Sequence, residues 1–122
     1  DCIATDHAPH HPDEKKCEFA LAPNGSVGFE TAFAVCFTAL VRTGKLTLAQ
    51  LVNKMSAAPA ALLGRKASVA VGEAADFFLF DDAAKWTVDR AALHGKSKNT
   101  AFHGQTVTGR VTATYVAGEK II

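Results

Sequence analysis

The stretch Cys2-Ile3-Ala4-Thr5-Asp6-His7-Ala8-Pro9-His10 decides how this chain is read. A short apolar run gives way to a carboxylate, an imidazole and a proline, the pattern of a buried strand opening into a loop. Pro9, and Pro12 after it, forbid regular pairing and force the chain out of the sheet. Catalytic groups are commonly carried where a strand ends in a loop, so Asp6 and His10 are the leading candidates for chemistry. For Asp6 the competing reading is a plain turn cap, in which the side chain binds its own backbone.

Downstream of this stretch, residues 7 to 28 read as one long loop with three of the four prolines, Asn24-Gly25 and the mixed-charge run Asp13-Glu14-Lys15-Lys16. Loops of this length inside a compact enzyme are usually binding loops or lids. From Phe29 to Val41, apolar residues recur at helical spacing (Phe29, Phe33, Cys36, Phe37, Leu40, Val41), and Gly44 stands where a helix would stop. Thr47 with Gln50 three residues on is a capping box that opens a second helix with Leu48, Leu51, Val52 and Met55 on one face. A third, short helix is expected from Pro59 to Gly64.

Past Gly64 the period changes to that of strands: Ser68 to Val71, Asp76 to Phe80, Trp86 to Val88, Gly109 to Ala117 and Lys120 to Ile122. Gly72-Glu73, Asp81-Asp82 and Gly118-Glu119 mark the turns between them. The chain thus divides near residue 65.

The residues Asp6-His7-Ala8-Pro9-His10, Ala22-Pro23-Asn24-Gly25, Gly28-Phe29-Glu30-Thr31, Asn99-Thr100-Ala101-Phe102-His103-Gly104 and Gly109-Arg110-Val111 together resemble dihydroorotase, a cyclic amidohydrolase family of pyrimidine biosynthesis. The likeness covers nearly all of this chain and only the last third of such an enzyme. It implies an α/β fold in which residues 1–64 form the last strand, substrate loop and outer helices of a TIM-like (β/α)8 barrel. Residues 65–122 would then give strands of a small, composite β-sandwich domain. A complete barrel needs about 250 residues, and the 122 residues here open without Met, so the expectation is a segment of a longer enzyme, unstable and inactive alone.

The resemblance also implies the chemistry. Such enzymes use one or two zinc ions, with the remaining ligands upstream, to hydrolyse the cyclic amide of dihydroorotate reversibly to N-carbamoyl-L-aspartate. Asp6 would be both metal ligand and proton shuttle, acting as base toward the attacking water and then as acid toward the leaving nitrogen. His10 would bind the substrate carboxylate, and Asn24 and Gly25 would meet the ring amide through the main chain. Asn24 stands where the family commonly has an aromatic residue, Ala101 where it has Pro, and Ala67 where it has Gly; these departures touch loop rigidity and any side-chain role of position 24.

Two other enzyme and non-enzyme readings remain. Hydantoinases, dihydropyrimidinases and allantoinases share the Asp-His pair but generally lack His at the place of His10, having no such carboxylate to bind. A non-catalytic scaffold subunit of the same fold is the third reading. The cluster His7, His10, His11 and Cys17 imitates a zinc site, but adjacent His10-His11 and a lone Cys17 lack ligand spacing. His7 is better read as a structural hydrogen-bonder and His11 as a solvated loop residue.

Composition narrows the partners. Thirteen Lys and Arg balance twelve Asp and Glu, with one Trp and one Tyr, which lacks the basic, stacking face of a nucleic-acid binder. No apolar run is long enough to span a membrane. Cys2, Cys17 and Cys36 are odd in number and form no C-x-x-C pair, which fits a reducing cytoplasm. The expected partners are a small-molecule substrate, the rest of the dihydroorotase polypeptide, and either a second copy or aspartate transcarbamoylase. Arg65, Lys66, Lys96 and Lys98 read as solvated surface, and Asn99 to Gly104 as a turn packing the β-domain on the barrel.

Overall fold

The computed structural model describes residues 1–122. Helix α1 (Ala32–Cys36) runs without a break into a π-helical segment, Phe37–Val41. The expected start at Phe29 is displaced by a turn over residues 29–31, because Gly28 carbonyl accepts from the Thr31 and Ala32 amides. The Thr47 box forms as expected: Thr47 Oγ1 accepts from Gln50 N–H at 3.2 Å and Gln50 Oε1 accepts from Thr47 N–H at 2.8 Å.

Two expectations of separate helices are corrected. Helices α2 (Leu48–Val52) and α3 (Ala58–Leu62) are one continuous rod joined by a π-helical segment, Asn53–Ala57. The third helix does start near Pro59, which sits in the first turn of α3 where a missing N–H is tolerated; what the sequence did not show is that no break separates it from α2. Gly44 and Gly64 stop the helical segments in the left-handed region, with φ of 74° and 66°.

Beyond residue 76 three strands make one antiparallel sheet in the order β1-β2-β3: β1 (Phe77–Thr87), β2 (Thr106–Val116) and β3 (Glu119–Lys120). The two short strands expected at 76–80 and 86–88 are therefore a single strand. Asp81-Asp82 makes a bulge instead of a chain reversal, since Asp81 Oδ1 accepts from both Ala83 and Ala84 N–H and the register slips between Asp81 and Lys85. Strand β3 begins one residue before the expected Lys120 and pairs Tyr115 with Lys120.

Helix α1 covers β1 and β2 with aromatic side chains. Phe33 meets Phe78 and Phe80 edge-on at 5.1 and 4.8 Å between centroids, and Phe37 meets Phe80 at 5.1 Å. Gly109, at φ 91°, permits this packing: a Cβ there would lie 2.2 Å from Phe80 Cζ. Thr38 Oγ1 accepts from Thr108 N–H at 2.8 Å, so the helix also ties to β2 through a polar contact. Ala34, Val88 and Val107 form the small core, with Val35, Trp86 and Phe102 against them.

Two expected strands do not form. Cys2 to Thr5 has no ladder; Ile3 N–H bonds Lys54 carbonyl at 2.9 Å, and only a single parallel bridge, His7 with Ser26, follows. Ser68 to Val71 likewise pairs with nothing, and Val69 and Val71 are fully or nearly fully exposed. A strand exists through its neighbours, and none stands beside either segment. The accessible surface of 8509 Å² exceeds by roughly a third the 6,300 Å² or so expected of a compact 12.8 kDa protein. Phe19, Leu21, Leu62 and Leu63 contribute to that excess. No helix is long and apolar enough to cross a membrane.

Candidate functional site

The turn after Thr5 places Asp6 at φ 45°, a left-handed conformation that Asp tolerates better than most residues. Its carboxylate is exposed and takes part in no hydrogen bond or ion pair of the chain, so it does not cap the turn. Asp6 borders an open depression of about 540 Å³ with Cys2, Ile3, Met55, Pro59 and Leu62.

His10 lines a neighbouring cleft of about 590 Å³, together with His7, Glu14, Glu30, Lys96 and Ser97. Its Nδ1 lies 3.3 Å from Glu14 Oε2, which also accepts from His11 N–H at 3.2 Å. A carboxylate only accepts, so Nδ1 carries the proton in this pair and Nε2 is the nitrogen left for a ligand. Gly25 stands against that nitrogen: a Cβ on Gly25 would fall 3.4 Å from His10 Nε2 and 2.4 Å from Ala8 Cβ. At φ 115°, position 25 is open to glycine and strained for any other residue.

The structure thus brings His10 and Gly25 together and leaves Asp6 on the adjacent depression. Asn24 is exposed and lines neither space. The Gly25 carbonyl is already engaged, by Lys15 Nζ at 3.0 Å and Asn99 Nδ2 at 3.3 Å. Its N–H has no acceptor in the chain, which makes it the main-chain group free for a ligand.

His7 is held as a structural residue. Its Nδ1 accepts from Gly28 and Phe29 N–H at 3.0 and 3.3 Å, and its ring stacks on Phe29 at 3.8 Å. Nδ1 is therefore an acceptor and the proton sits on Nε2. His11 is exposed and accepts from Asp13 N–H, while Cys17 Sγ donates to the Glu14 carbonyl, so the histidines and Cys17 point into separate contacts. No three His, Cys, Asp or Glu side chains converge on one ion-sized space.

Several contributors have no signal in the sequence. Lys15 belongs to a charge run and yet donates to the Pro23 and Gly25 carbonyls, closing the loop. Glu30 accepts from His94 N–H at 2.8 Å, Gly95 N–H at 2.9 Å and His94 Nδ1 at 3.0 Å, fixing the far wall of the cleft. Burial pushes the Glu30 carboxyl up, but the His94 and Gly95 amides and the His94 imidazole together outweigh it and hold the group below its ordinary 4.5. Lys98, expected in solvent, is half-buried and donates to the Leu93 carbonyl. Asn99 reaches His10 across 89 residues, a pairing no local pattern encodes. The only hint was that it opens the quoted Asn99-to-Gly104 stretch.

A free carboxylate on the turn after Thr5, an imidazole with a glycine beside it and a helix-covered antiparallel sheet are the features to set against known proteins. The chain belongs to the amidohydrolase family, whose profile matches residues 1–121. It is 48% identical to a dihydroorotase of Acetivibrio thermocellus over all of this chain and 29% of that protein. A dihydroorotase of Anaeromyxobacter dehalogenans is 51% identical over 97% of this chain and 27% of its own length. Among solved structures, a dihydropyrimidinase from Brevibacillus agri superposes with a TM-score of 0.90 at 30% identity, covering 99% of this chain and 28% of that one. A D-hydantoinase from a Bacillus species does so at 0.88 and 27%, with the same coverage. The chain therefore spans less than a third of the length of the relatives it matches.

Proposed function

We propose that this chain is the substrate-facing C-terminal part of a dihydroorotase, which reversibly hydrolyses the cyclic amide of (S)-dihydroorotate to N-carbamoyl-L-aspartate in the cytoplasm. The observation that carries the reading is that His10 lines an open cleft and has Gly25 beside its Nε2, a Cβ at position 25 falling 3.4 Å from that nitrogen, while the Gly25 N–H has no acceptor in the chain. An acidic, cyclic amide substrate needs one donor for its carboxylate and a second for its ring, and these two groups offer them side by side. High identity to proteins named dihydroorotase supports the same reading.

His10, with Nδ1–H given to Glu14, donates from Nε2 to the substrate carboxylate when the ring holds its second proton. Gly25 N–H donates to a ring carbonyl. Asp6 takes a proton from the attacking water and passes it to the departing ring nitrogen. The unpartnered, exposed Asp6 carboxylate also fits one position in a zinc ligand set whose other members lie outside this chain. Zinc, when bound, acidifies water and polarises the scissile carbonyl. Residues 1–64 would be the closing strand, loop and helices of the barrel and residues 65–122 part of the small β-domain, with the exposed apolar surface covered by the rest of the polypeptide.

A second reading, hydantoinase or dihydropyrimidinase activity, is favoured by the likeness to the solved hydantoinase and dihydropyrimidinase named above. His10 separates the two. In the complete enzyme, Asp6→Asn abolishes turnover of dihydroorotate while the protein still folds; substantial activity retained would refute the role given to Asp6. His10→Ala selectively loses dihydroorotate. An enzyme that turns over dihydrouracil or hydantoin better than dihydroorotate would favour the second reading.

A further inference from the structure

The segment Ser97 to Asn99 grips His10 from both sides. Ser97 Oγ donates to the His10 carbonyl at 3.0 Å, and the His10 N–H donates to Asn99 Oδ1 at 3.3 Å. The amide end of the same Asn99 side chain donates to the Ala8 carbonyl at 2.9 Å and the Gly25 carbonyl at 3.3 Å. The Asn99 carbonyl in turn accepts from Val27 N–H at 3.2 Å. One side chain thus joins the turn that carries His10 to the loop that carries Gly25, with its amide nitrogen donating twice and its oxygen accepting once.

We propose that Asn99, seconded by Ser97, is a positioning residue for substrate binding, holding the His10 imidazole and the Gly25 main chain at a fixed separation. This rests on the dihydroorotase reading and deepens it. Asn99 lines neither open space, and Ser97, at the cleft edge, has its hydroxyl given to the His10 carbonyl, so both act through His10 and Gly25. His10 lies at the end of a proline-bounded turn, and within the chain its side chain is tied only to the exposed Glu14. Its placement therefore depends on its peptide groups, both of which end in this segment. Gly25 has no side chain at all, so its carbonyl contacts with Asn99 and Lys15 locate it.

Only an amide satisfies the geometry. Aspartate keeps the acceptor for His10 N–H but turns both donors into a carboxylate facing the Ala8 and Gly25 carbonyls, which repels them. Alanine loses all three bonds. Because misplacing a binding group by about 1 Å costs up to about a hundredfold, loosening two such groups should cost affinity well before it costs folding.

The test uses the complete enzyme with its metal content verified. Asn99→Ala and Asn99→Asp should each raise KM for dihydroorotate about tenfold with kcat within about threefold, since binding groups and not the proton shuttle are displaced. Ser97→Ala, a milder change, should raise KM about threefold, and Ser97→Thr, which keeps the hydroxyl, should restore it. In the His10→Ala background the effect of Ser97→Ala should vanish and that of Asn99→Ala should shrink to the share carried by Gly25. KM raised by His10→Ala but unmoved by Asn99→Ala, Asn99→Asp and Ser97→Ala would overturn the positioning role alone. Full multiplication of the Ser97 and His10 effects would do the same. KM unmoved by His10→Ala itself would sink the substrate assignment and this inference with it. If Asn99 variants fail to fold, the Ser97 pair with His10→Ala decides the matter.

Discussion

Replacing Gly25 with alanine probes the site at the point where its geometry is tightest. The new Cβ would lie 2.4 Å from Ala8 Cβ, 1.0 Å short of the 3.4 Å at which ordinary contact begins. At φ 115° the backbone is also one that L side chains rarely adopt, so the loop cannot absorb the methyl by a rotamer change. It must move by about 1 Å. A retreat of that size stretches the 3.0 Å Lys15 bond and the 3.3 Å Asn99 bond to the Gly25 carbonyl beyond hydrogen-bonding range. A misplacement of about 1 Å in a binding group corresponds to about a hundredfold in kcat/KM, or about 2.7 kcal/mol of transition-state binding. The loop is mostly exposed, so its opening is local and the global melt shifts little. The assay is steady-state hydrolysis of dihydroorotate to N-carbamoyl-L-aspartate by the complete Gly25→Ala enzyme, alongside its thermal melt. Activity within threefold of the parent would refute the claim that the Gly25 main chain is held against His10.

Two further outcomes follow from the same structure. Gly109→Ala sets a methyl 2.2 Å from Phe80 Cζ and 3.0 Å from Phe37 Cδ1 at a φ of 91°; overpacking and strain together should destabilise the protein by about 2–5 kcal/mol, read as a drop in melting temperature or in denaturant midpoint. Glu30, whose carboxyl is held below 4.5 in the fold, stabilises the structure above 4.5 and loses that contribution as pH falls through its lowered native value. Glu30→Gln should therefore melt below the parent at neutral pH, with the gap closing on acidification; a gap that widens in acid would contradict the anchoring by His94 and Gly95.

The parts that were legible in the sequence are those written by neighbours along the chain. Thr47 and Gln50 announced their capping box, Gly44 and Gly64 announced where helices stop, and the change of period after residue 64 announced the strands, because each depends on bonds within a few residues. Asp6, His10 and Gly25 were legible as a motif of turn-forming and titratable residues. That His10 and Gly25 adjoin each other, while Asp6 opens on the next depression, was not.

What tertiary structure alone decided is where pairing across the chain was required. Asp81-Asp82 has the chemistry of a turn, and only the continuous partner strand β2 converts it into a bulge within one long β1. Cys2 to Thr5 and Ser68 to Val71 have the composition of strands and remain unpaired, since a ladder needs a second backbone that local sequence does not supply. Asn99 is the clearest case: its residue type supplies donors and an acceptor, and folding alone chose the Ala8 and Gly25 carbonyls for the donors and the His10 N–H for the acceptor. Sequence fixes the valence of each side chain, whereas distance in space fixes its partners.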